Sequence, residues 1–427
     1  MTKINILEEL AWRGLIHQST ETQALKELLV QPQSVYAGFD PTASSLHCGH
    51  LLPLMMLRRF QQFGHKPIAL VGGATGMIGD PSGKSEERVL LSPDALAENV
   101  DGMKAQMSRF LDFSGTSAAV LVNNYDWMSG WSYINFLRDV GKYFPVNVML
   151  SKESVKGRLD RDDAGLSYTE FSYMLLQAYD FTHLYKEHGC RLQIGGSDQW
   201  GNITAGVDLG RRMHAVQLHG LTCPLLLTSG GHKMGKTAGG AVWLDAARTS
   251  PYAFYQYWVN VADSDVLMCL RFLTEIEREE YMTLEQSVAD EPHTRTAQKR
   301  LAQWMTQFVH GPAGLAAATQ ATEVFFGAEI NDLNDAQLSE IFHDVPSASI
   351  TAAELQAGVP LLDACVTVGL AKSKSDARRT VEQGGANVNN RRVDAVDYLL
   401  TQKDLASQSI IVLRSGKKKF ALLKVVH

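Results

Sequence analysis

The first 230 residues alternate short, uniformly apolar runs with longer stretches whose apolar residues recur at helical spacing. The short runs do not alternate with polar residues, so they predict strands that are buried on both faces. Five such runs are found, at residues 35–39, 68–71, 119–122, 192–194 and 225–227. The helical stretches between them predict helices on both faces of a parallel sheet. We therefore predict an α/β fold with a Rossmann-like, doubly wound parallel sheet, and functional groups at the carboxyl ends of its strands near a switch in strand order.

The pattern changes further along the chain. Residues 248–325 contain no strand-like run and carry apolar residues at helical spacing, which predicts an all-helical region. Residues 326–355 are enriched in Asn, Asp, Ser and Pro and read as a linker that contains a short helix. The last 70 residues have the pattern of a small α/β module. These changes predict four parts: a Rossmann-like domain at 1–247, a helical domain at 248–325, the linker at 326–355 and a small α/β domain at 356–427.

Composition is that of a globular chain. Of its 427 residues, 45% are hydrophobic and 20% are charged. No run reaches the roughly 18 uncharged apolar residues that a membrane span requires, so we expect no membrane association. The N-terminus reads as an amphipathic helix and not as a secretion signal. The five cysteines are scattered without any Cys-x-x-Cys pair, which argues against a disulfide framework or a zinc site and fits a reducing, cytoplasmic location.

Charge is distributed unevenly along the chain. Residues 361–427 contain 12 Lys and Arg against 6 Asp and Glu, whereas the whole chain has 40 against 46 and a formal net charge of −6. A basic tail on an acidic body favours a polyanionic partner whose affinity falls as salt rises. A solvated basic surface without a partner would give the same count, so the tail charge leaves both readings open.

Two short segments carry the strongest chemical signal. His-Cys-Gly-His at residues 47–50 follows the first predicted strand and begins a helical pattern at 51–63. The exposed N–H groups and the dipole of a helix start favour an anion there, and His47 and His50 project from one face of that turn. Lys-Met-Gly-Lys-Thr at residues 233–237 places two lysines and a threonine on a glycine-rich loop, which suits a polyphosphate. Together the two segments predict a nucleotide site that handles a departing pyrophosphate.

Residues 230–237 also match the P-loop pattern G-x-x-x-x-G-K-T. A P-loop must lead directly into a helix whose N-terminus binds the phosphates. Here two further glycines follow, and residues 242–244 read as extended. We interpret the match as accidental, with a P-loop NTPase as an alternative function.

One predicted helix presents polar groups where core residues would be expected. Tyr173, Gln177 and Asp180 recur at i, i+4 and i+7 and therefore share one face. Together with Tyr36 on the first predicted strand, they offer phenol, amide and carboxylate groups that suit a small zwitterion with a polar tip. The alternative is a satisfied polar patch at a helix interface.

Two glycine-rich loops follow predicted strands. Residues 72–84 include Asp80, which could hold an ammonium or a ribose group, but their glycines do not have the G-x-G-x-x-G spacing of a dinucleotide site. Residues 193–202 end a strand with two glycines and lead through polar groups into a helix, a suitable place for a ribose or a carboxylate. In both loops, a tight turn without a ligand is the alternative.

The set of motifs resembles a known family. The His-x-Gly-His and Lys-Met-x-Lys segments resemble the two signatures of class I aminoacyl-tRNA synthetases. Residues 36–42, 79–84, 173–180 and 193–202 look like those of the tyrosyl-tRNA synthetase family, and residues 370–389 resemble the RNA-binding domain of ribosomal protein S-four type that is typical of its bacterial branch. The resemblance covers nearly the whole chain. It departs at Cys48, usually Ile or Leu, at Met234, often aromatic, and at Gly235 and Thr237, where the class signature has serines.

The resemblance implies a reaction and its partners. L-Tyrosine would be activated with ATP to tyrosyl-adenylate plus pyrophosphate and then transferred to the 3′ end of tRNA(Tyr). The attacking carboxylate is already ionised, so catalysis would consist of positioning and charge stabilisation without a protein nucleophile. Mg²⁺ would accompany ATP, with no metal site or prosthetic group in the protein. A homodimer would form through the first domain near residues 130–165.

The resemblance also implies roles for individual residues. The residues that would bind the phosphates and stabilise the pyrophosphate in the transition state are His47, His50, Thr42, Lys84, Arg88, Lys233, Lys236 and Thr237. ATP and the adenylate would contact Gly38, Asp40, His47, Gly49, His50, Gly196, Asp198, Gln199 and Lys236. Tyrosine would be held by Tyr36, Asp80, Tyr173, Gln177, Asp180 and Gln193, and RNA by Lys372, Lys374, Arg378 and Arg379. Tyr36 and Asp180 would bind the phenol, so that phenylalanine leaves both groups unpaired, a discrimination for which this class of enzyme is the usual illustration.

An RNA-binding protein that descends from a synthetase and has lost catalysis is the main alternative from another functional class. Such a chain would be expected to lose some of the charged groups of its site. His47, His50, Lys84, Lys233 and Lys236 are all present, which argues for an enzyme.

Overall fold

The computed structural model describes residues 5–82, 91–152, 155–156, 166–237, 240–330, 333–343, 345–416 and 419–426. The chain forms two compact units. The first consists of Met1–Ser250 with Gln256–His310, and the second of Pro251–Tyr255 with Gly311–His427.

A six-stranded sheet lies at the centre of the first unit. Its strands are β1 (Gln18–Ser19), β2 (Ser34–Phe39), β3 (Lys66–Val71), β4 (Val120–Asn123), β5 (Leu192–Gly196) and β6 (His219–Cys223). Their spatial order is β1-β6-β5-β2-β3-β4, with all neighbours parallel except β1, which is antiparallel to β6. The chain proceeds to one side of β2 through β3 and β4, and to the other side through β5 and β6. The predicted doubly wound parallel sheet is therefore confirmed, with its switch point between β2 and β5.

One predicted strand is wrong. Residues 225–227 form no strand, apart from a single bridge between Leu227 and Lys233. The sixth strand instead ends at Cys223, directly before Pro224, which has no N–H group to donate to a sheet. This strand is buried along its whole length although it contains His219 and Thr222, so the apolar pattern pointed to the wrong residues.

Helices cover both faces of this sheet. They are α1 (Ile6–Arg13), α2 (Thr22–Leu28), α3 (Leu51–Gln62), α4 (Pro93–Met107), α5 (Tyr125–Met128), α6 (Tyr133–Asp139), α7 (Val146–Leu150), α8 (Tyr168–His188) and α9 (Trp200–His214). The ends of α8 follow capping rules: the Ser167 hydroxyl accepts from the Glu170 N–H, and Gly189 ends the helix at a φ of 62°. Helix α8 packs along α9 through Ala178, Ala205 and Leu209.

The region from residue 248 to 325 contains helices and no strand, as its sequence pattern predicted. Its helices are α10 (Pro251–Val259), α11 (Asp263–Leu273), α12 (Arg278–Asp290) and α13 (Thr296–Phe325). Gly311, with a φ of 73° and followed by Pro312, interrupts α13 where the chain passes from the first unit to the second. Before this region, a short hairpin joins β7 (Lys236–Thr237) to β8 (Gly240–Ala241). A hairpin in this position contradicts a P-loop, which requires a helix.

The second unit is built on a five-stranded sheet with the order β12-β11-β14-β15-β9, beside a two-stranded pair of β10 and β13. Its elements are helices α14 (Asp335–Ile341), α15 (Ala352–Ala357), α16 (Leu361–Thr367) and α17 (Lys374–Glu382), and strands β9 (Ser347–Thr351), β10 (Val359–Pro360), β11 (Ala386–Val388), β12 (Arg391–Arg392), β13 (Leu399–Leu400), β14 (Ile410–Ser415) and β15 (Lys419–Val426). Successive residues of a strand point to opposite faces. Leu413 and Leu423 accordingly pack into one hydrophobic cluster, and Val412 and Leu422 into another. The sheet is thus buried on both faces.

Candidate active site

A cavity of about 530 Å³ opens at the carboxyl ends of β2 and β5, where the strand order reverses. Strand β2 and the turn after it contribute Tyr36, Gly38 and Asp40, while Gln193 and Gly196 line it from β5. This is where ligands bind in doubly wound sheets. Most of the predicted site residues line the cavity: Tyr36, Gly38, Asp40, Thr42, His47, Gly49, His50, Asp80, Tyr173, Gln177, Asp180, Gln193, Gly196, Asp198, Gln199 and Lys233.

One end of the cavity is lined by Tyr36 and Asp180, each only 1% exposed. The Asp180 carboxylate accepts from Asn124 Nδ2 at 2.9 Å and from Trp127 Nε1 at 2.8 Å. Burial raises the pKa of Asp180 to about 7, although the two donated hydrogen bonds act in the opposite direction. Among the described residues, the Tyr36 hydroxyl has no hydrogen-bond partner, and burial together with the Asp180 charge raises its pKa. This end therefore offers an oriented carboxylate and a hydroxyl to a buried polar group of a ligand.

A polar network around Asp80 also lines the cavity. Its carboxylate accepts from the Ser82 N–H at 2.9 Å and from Gln199 Nε2 at 2.7 Å. Gln199 Oε1 in turn accepts from Gln177 Nε2 at 3.2 Å. Asp80 is 6% exposed, so this negative charge is held in place by hydrogen bonds in a region of low dielectric. The network suits a small cation such as an ammonium group.

Asp40 connects β2 to helix α8. Tyr173 donates from its hydroxyl to Asp40 Oδ2 at 3.0 Å, and Thr75 donates to Oδ1 at 2.9 Å. Gly72 lies close by, and a Cβ there would stand 2.3 Å from Asp40 Oδ1. Only glycine allows the loop after β3 to approach this carboxylate.

His47 and His50 lie at the start of α3, in a single 3₁₀ turn (Cys48–His50), with ring centroids 4.0 Å apart. His50 Nδ1 accepts from the His47 N–H at 3.1 Å, and His47 Nδ1 accepts from the Gly49 N–H at 3.0 Å. Burial, with a smaller contribution from His47, lowers the pKa of His50 to about 3. Because Nδ1 is an acceptor, each neutral ring carries its proton on Nε2. The two Nε2–H groups thus lie at a helix start, where an anion is favoured.

The second signature segment reaches the cavity only in part. Lys233 lines it, and this ammonium lowers the pKa of Asp198, which burial raises by more. Lys236 is exposed in β7 and does not line the cavity. Thr237 belongs to the same strand. Lys84 and Arg88, predicted for the pyrophosphate, lie outside the described residues.

Sequence analysis missed four polar residues that complete the site: Asn124, Trp127, Thr75 and Ser82. Thr75 and Ser82 lie in the glycine-rich loop, while Asn124 and Trp127 orient Asp180. Asn124 directly follows β4, at the carboxyl end of a predicted strand, where functional groups were expected, so that expectation could have found it. Trp127 gave no such signal, because an isolated Trp normally reads as a core residue.

The predicted RNA-binding residues belong to the second unit. Lys372, Lys374, Arg378 and Arg379 are all exposed, on helix α17 and just before it. The helix begins at Ser373, whose hydroxyl accepts from the Asp376 N–H. Lys374 also pairs with Asp363 at 2.6 Å, which leaves the other three cations to set the charge of this surface.

The described residues contain neither a metal-binding cluster nor a membrane-spanning helix. No group of three or more His, Cys, Asp or Glu side chains there is arranged to hold a metal ion. No described helix combines the length and apolarity needed to cross a membrane. The site geometry instead suits organic ligands: a zwitterion with a polar tip at the buried end, and phosphates beside the two histidines and Lys233.

The chain matches the family model "tRNA synthetases class I (W and Y)" over residues 30–327 and the model "Tyrosine--tRNA ligase SYY-like C-terminal domain" over residues 337–423. It is 61% identical to a tyrosine–tRNA ligase of Rhodopirellula baltica over 99% of this chain and 96% of that protein. It is 51% identical to one of Corynebacterium efficiens over 99% of both chains. A truncated mitochondrial tyrosyl-tRNA synthetase of Aspergillus nidulans superimposes with a TM-score of 0.68 at 30% identity, covering 76% of this chain and 95% of that one.

Proposed function

The chain belongs to the tyrosyl-tRNA synthetase family of class I aminoacyl-tRNA synthetases, and we propose that the cavity at the sheet switch point is where it joins tyrosine to ATP. The enzyme ligates tyrosine to tRNA in protein synthesis, with tyrosine, ATP and tRNA as its partners. The observation that carries the assignment of the site is the buried pair of Tyr36 and Asp180. It supplies two buried polar groups for a phenol in the cavity.

Tyrosine is proposed to lie with its phenol between Tyr36 and Asp180. The ionised Asp180 accepts from the phenol, because its other contacts, Asn124 and Trp127, are donors. The α-ammonium group faces Asp80, with Gln177 and Tyr173 beside it. Gln193 lines the same region. Phenylalanine would leave the buried Tyr36 hydroxyl without a partner and would donate nothing to Asp180, which costs affinity.

ATP is proposed to occupy the open part of the cavity, with its adenosine against Gly38, Asp40, Gly196, Asp198 and Gln199. The substrate carboxylate then attacks the α-phosphorus in line, and pyrophosphate leaves. His47 and His50 donate from Nε2 to the phosphates, Gly49 allows close approach, and Lys233 neutralises the charge that develops on the leaving group. Thr42, Lys84, Arg88, Lys236 and Thr237 are proposed to join them when ATP is bound.

Mg²⁺ is proposed to arrive with ATP as part of the substrate. Magnesium is usually held by phosphates and water with one or two carboxylates. The donor set at the phosphate-binding part of the cavity, two imidazoles and an ammonium group, does not form such a cage, so the ion would be bound mainly by ATP itself.

The four-part division is proposed as a division of labour. Residues 1–247 form the adenylate, residues 248–325 bind the stem of the anticodon arm, and residues 356–427 bind RNA. The segment 326–355, predicted as a linker, supplies strand β9 to the same sheet as residues 356–427. The exposed cations Lys372, Arg378 and Arg379 support the RNA-binding role. Replacing Arg378 with Ala should weaken tRNA binding a few-fold and reduce its salt dependence by about one unit of slope, with adenylate formation unchanged.

A homodimer through residues 130–165 is also proposed. Large apolar side chains are exposed there and nearby: Tyr133 at 63%, Ile134 at 69%, Val146 at 59% and Tyr168 at 61%. A patch of this kind marks an association surface. Analytical ultracentrifugation of an Ile134→Asp variant should show monomers where the wild type shows dimers.

A cytoplasmic location is proposed because all five cysteines are free thiols.

Amino-acid-dependent exchange of pyrophosphate into ATP tests the proposal. Each of the twenty amino acids is supplied in turn, with Lys233→Ala as the inactive control. Exchange with tyrosine alone, lost in the control, is the expected result. Exchange with tryptophan, or none from a folded sample, would refute the assignment of the pocket.

A further inference from the structure

The loop that carries the second signature, residues 226–236 and here called the phosphate loop, is anchored to the body of the first unit at its base. Its two sides pair through the Met234 N–H and the Leu226 carbonyl at 2.9 Å, and through the Thr228 N–H and the His232 carbonyl at 2.8 Å. Met234 is 4% exposed, and its sulfur lies 3.3 Å from the Cys269 thiol. The buried Met234 thus anchors the loop. Lys233, directly before it, is exposed and lines the cavity.

Gly235 is the centre of that anchor. Its φ is 85°, and a Cβ at this position would stand 2.5 Å from the Cβ of Cys48, so the loop touches the first signature directly. Glycine is required both by the positive φ and by the close approach to Cys48. The thiol side chain of Cys48 is compact, and it occupies the place where the family usually has the larger Ile or Leu.

A continuous run of hydrogen bonds connects the helical region to both signatures. The Gly235 N–H donates to the Tyr257 hydroxyl at 2.7 Å, and the Gly235 carbonyl accepts from the Val242 N–H at 2.8 Å. The Val242 carbonyl then accepts from the Cys48 N–H at 2.9 Å. Tyr257 lies in α10, outside both signature segments, and its hydroxyl is the only side-chain group in this run.

We propose that Tyr257 is a positioning residue for adenylate formation, because its hydroxyl holds the phosphate loop against Cys48 and thereby keeps Lys233 at the cavity. The proposal rests on the proposed function of the pocket. A second contact supports it, since the Ser229 N–H donates to Asp265 Oδ1 at 2.9 Å and ties the other side of the loop to α11. Without the tyrosine hydroxyl, the Gly235 N–H loses its acceptor in a partly buried position, and the anchored state of the loop becomes less populated.

The test replaces Tyr257 with Phe, which keeps the ring and removes only the hydroxyl. The kcat of tyrosine-dependent pyrophosphate exchange should fall about tenfold, the effect of losing one hydrogen bond of ordinary strength. The KM for tyrosine should not change, because the tyrosine-binding groups lie on other elements. In parallel, tryptic cleavage after Lys233 and Lys236 should become about tenfold faster without substrates, as the loop opens more often.

Tyr255→Phe is the matched control, since it removes the hydroxyl of another largely buried tyrosine from the same helix and leaves the Gly235 contact intact. Thermal unfolding verifies that both variants fold. Unchanged exchange and unchanged cleavage in Tyr257→Phe would overturn the proposal, as would equal effects in the control. Cleavage does not depend on catalysis, so a wild type that fails to exchange pyrophosphate would contradict the proposed function and leave the anchoring of the loop separately testable.

Discussion

The two ends of the cavity hold their functional groups in different ways. At the tyrosine end, Tyr36 and Asp180 are 1% exposed and Asp80 is 6% exposed, and both carboxylates accept several hydrogen bonds. At the phosphate end, Lys233 is exposed and His47 is partly exposed. The groups at the tyrosine end are fixed before the ligand arrives, whereas those at the phosphate end remain in contact with water.

The difference follows from what each end must do. An end that selects a side chain gains by exclusion of water, because a wrong ligand then leaves polar groups unpaired. An end that binds and releases pyrophosphate needs cations that keep their charge and solvation between turnovers. A buried lysine would lose its charge readily. We therefore expect changes at the tyrosine end to alter binding and selection, and changes at the phosphate end to alter the rate of adenylate formation.

Lys233→Ala should produce the largest effect. Removing a cation that stabilises transition-state charge should lower the rate of adenylate formation about 100- to 1,000-fold. The dissociation constant of tyrosine should not change, because Lys233 is proposed to act on the phosphates and not on the amino acid. Single-turnover rates with equilibrium dialysis of tyrosine separate the two quantities. A loss of tyrosine affinity as large as the loss of rate would contradict the proposed difference between the two ends of the cavity.

Asp180→Asn should mainly change the affinity for tyrosine and not the rate of adenylate formation. The amide cannot satisfy Asn124, Trp127 and a phenol donor together, so tyrosine affinity should fall about 10- to 100-fold. Discrimination against phenylalanine should shrink by a similar factor. Exchange assays with both amino acids measure it, and Tyr179→Phe, one residue before Asp180, is the control. Preserved discrimination would show that another group reads the phenol.

Tyrosine binding should depend on pH, with the smallest of the three effects. Burial raises the pKa of Asp180 to about 7, so its carboxylate is mostly ionised at pH 8 and mostly protonated at pH 6. Because the ionised form accepts from the phenol, affinity should fall about tenfold as pH decreases from 8 to 6. Titration calorimetry across this range gives the result. A flat profile in the wild type, or the same slope in Asp180→Asn, would exclude this carboxylate as the source.

Sequence patterns predicted four of the six strands of the first sheet, because those strands are continuous apolar runs. They failed at β6, which is buried yet contains His219, Gly220 and Thr222, and they gave no sign of β1, which has only two residues. Burial of such strands is set by the tertiary structure around them, which local composition does not record.

The sequence predicted the residues that line the candidate site better than it predicted the contacts that support them. The resemblance to the family brought together Tyr36, Asp80 and Asp180 from three distant segments. It did not indicate that Trp127 donates to Asp180 or that Tyr257 accepts from Gly235, since Trp127 and Tyr257 lie in segments without a motif. It also did not distinguish Lys233, which lines the cavity, from Lys236, which does not.

A crystal structure with a non-hydrolysable tyrosyl-adenylate analogue tests the central claim most directly. The account predicts that the phenol oxygen lies within about 3.2 Å of both the Tyr36 hydroxyl and the Asp180 carboxylate, with the phosphate beside His47 and His50. A phenol directed away from this pair, or an adenosine at the buried end, would contradict it.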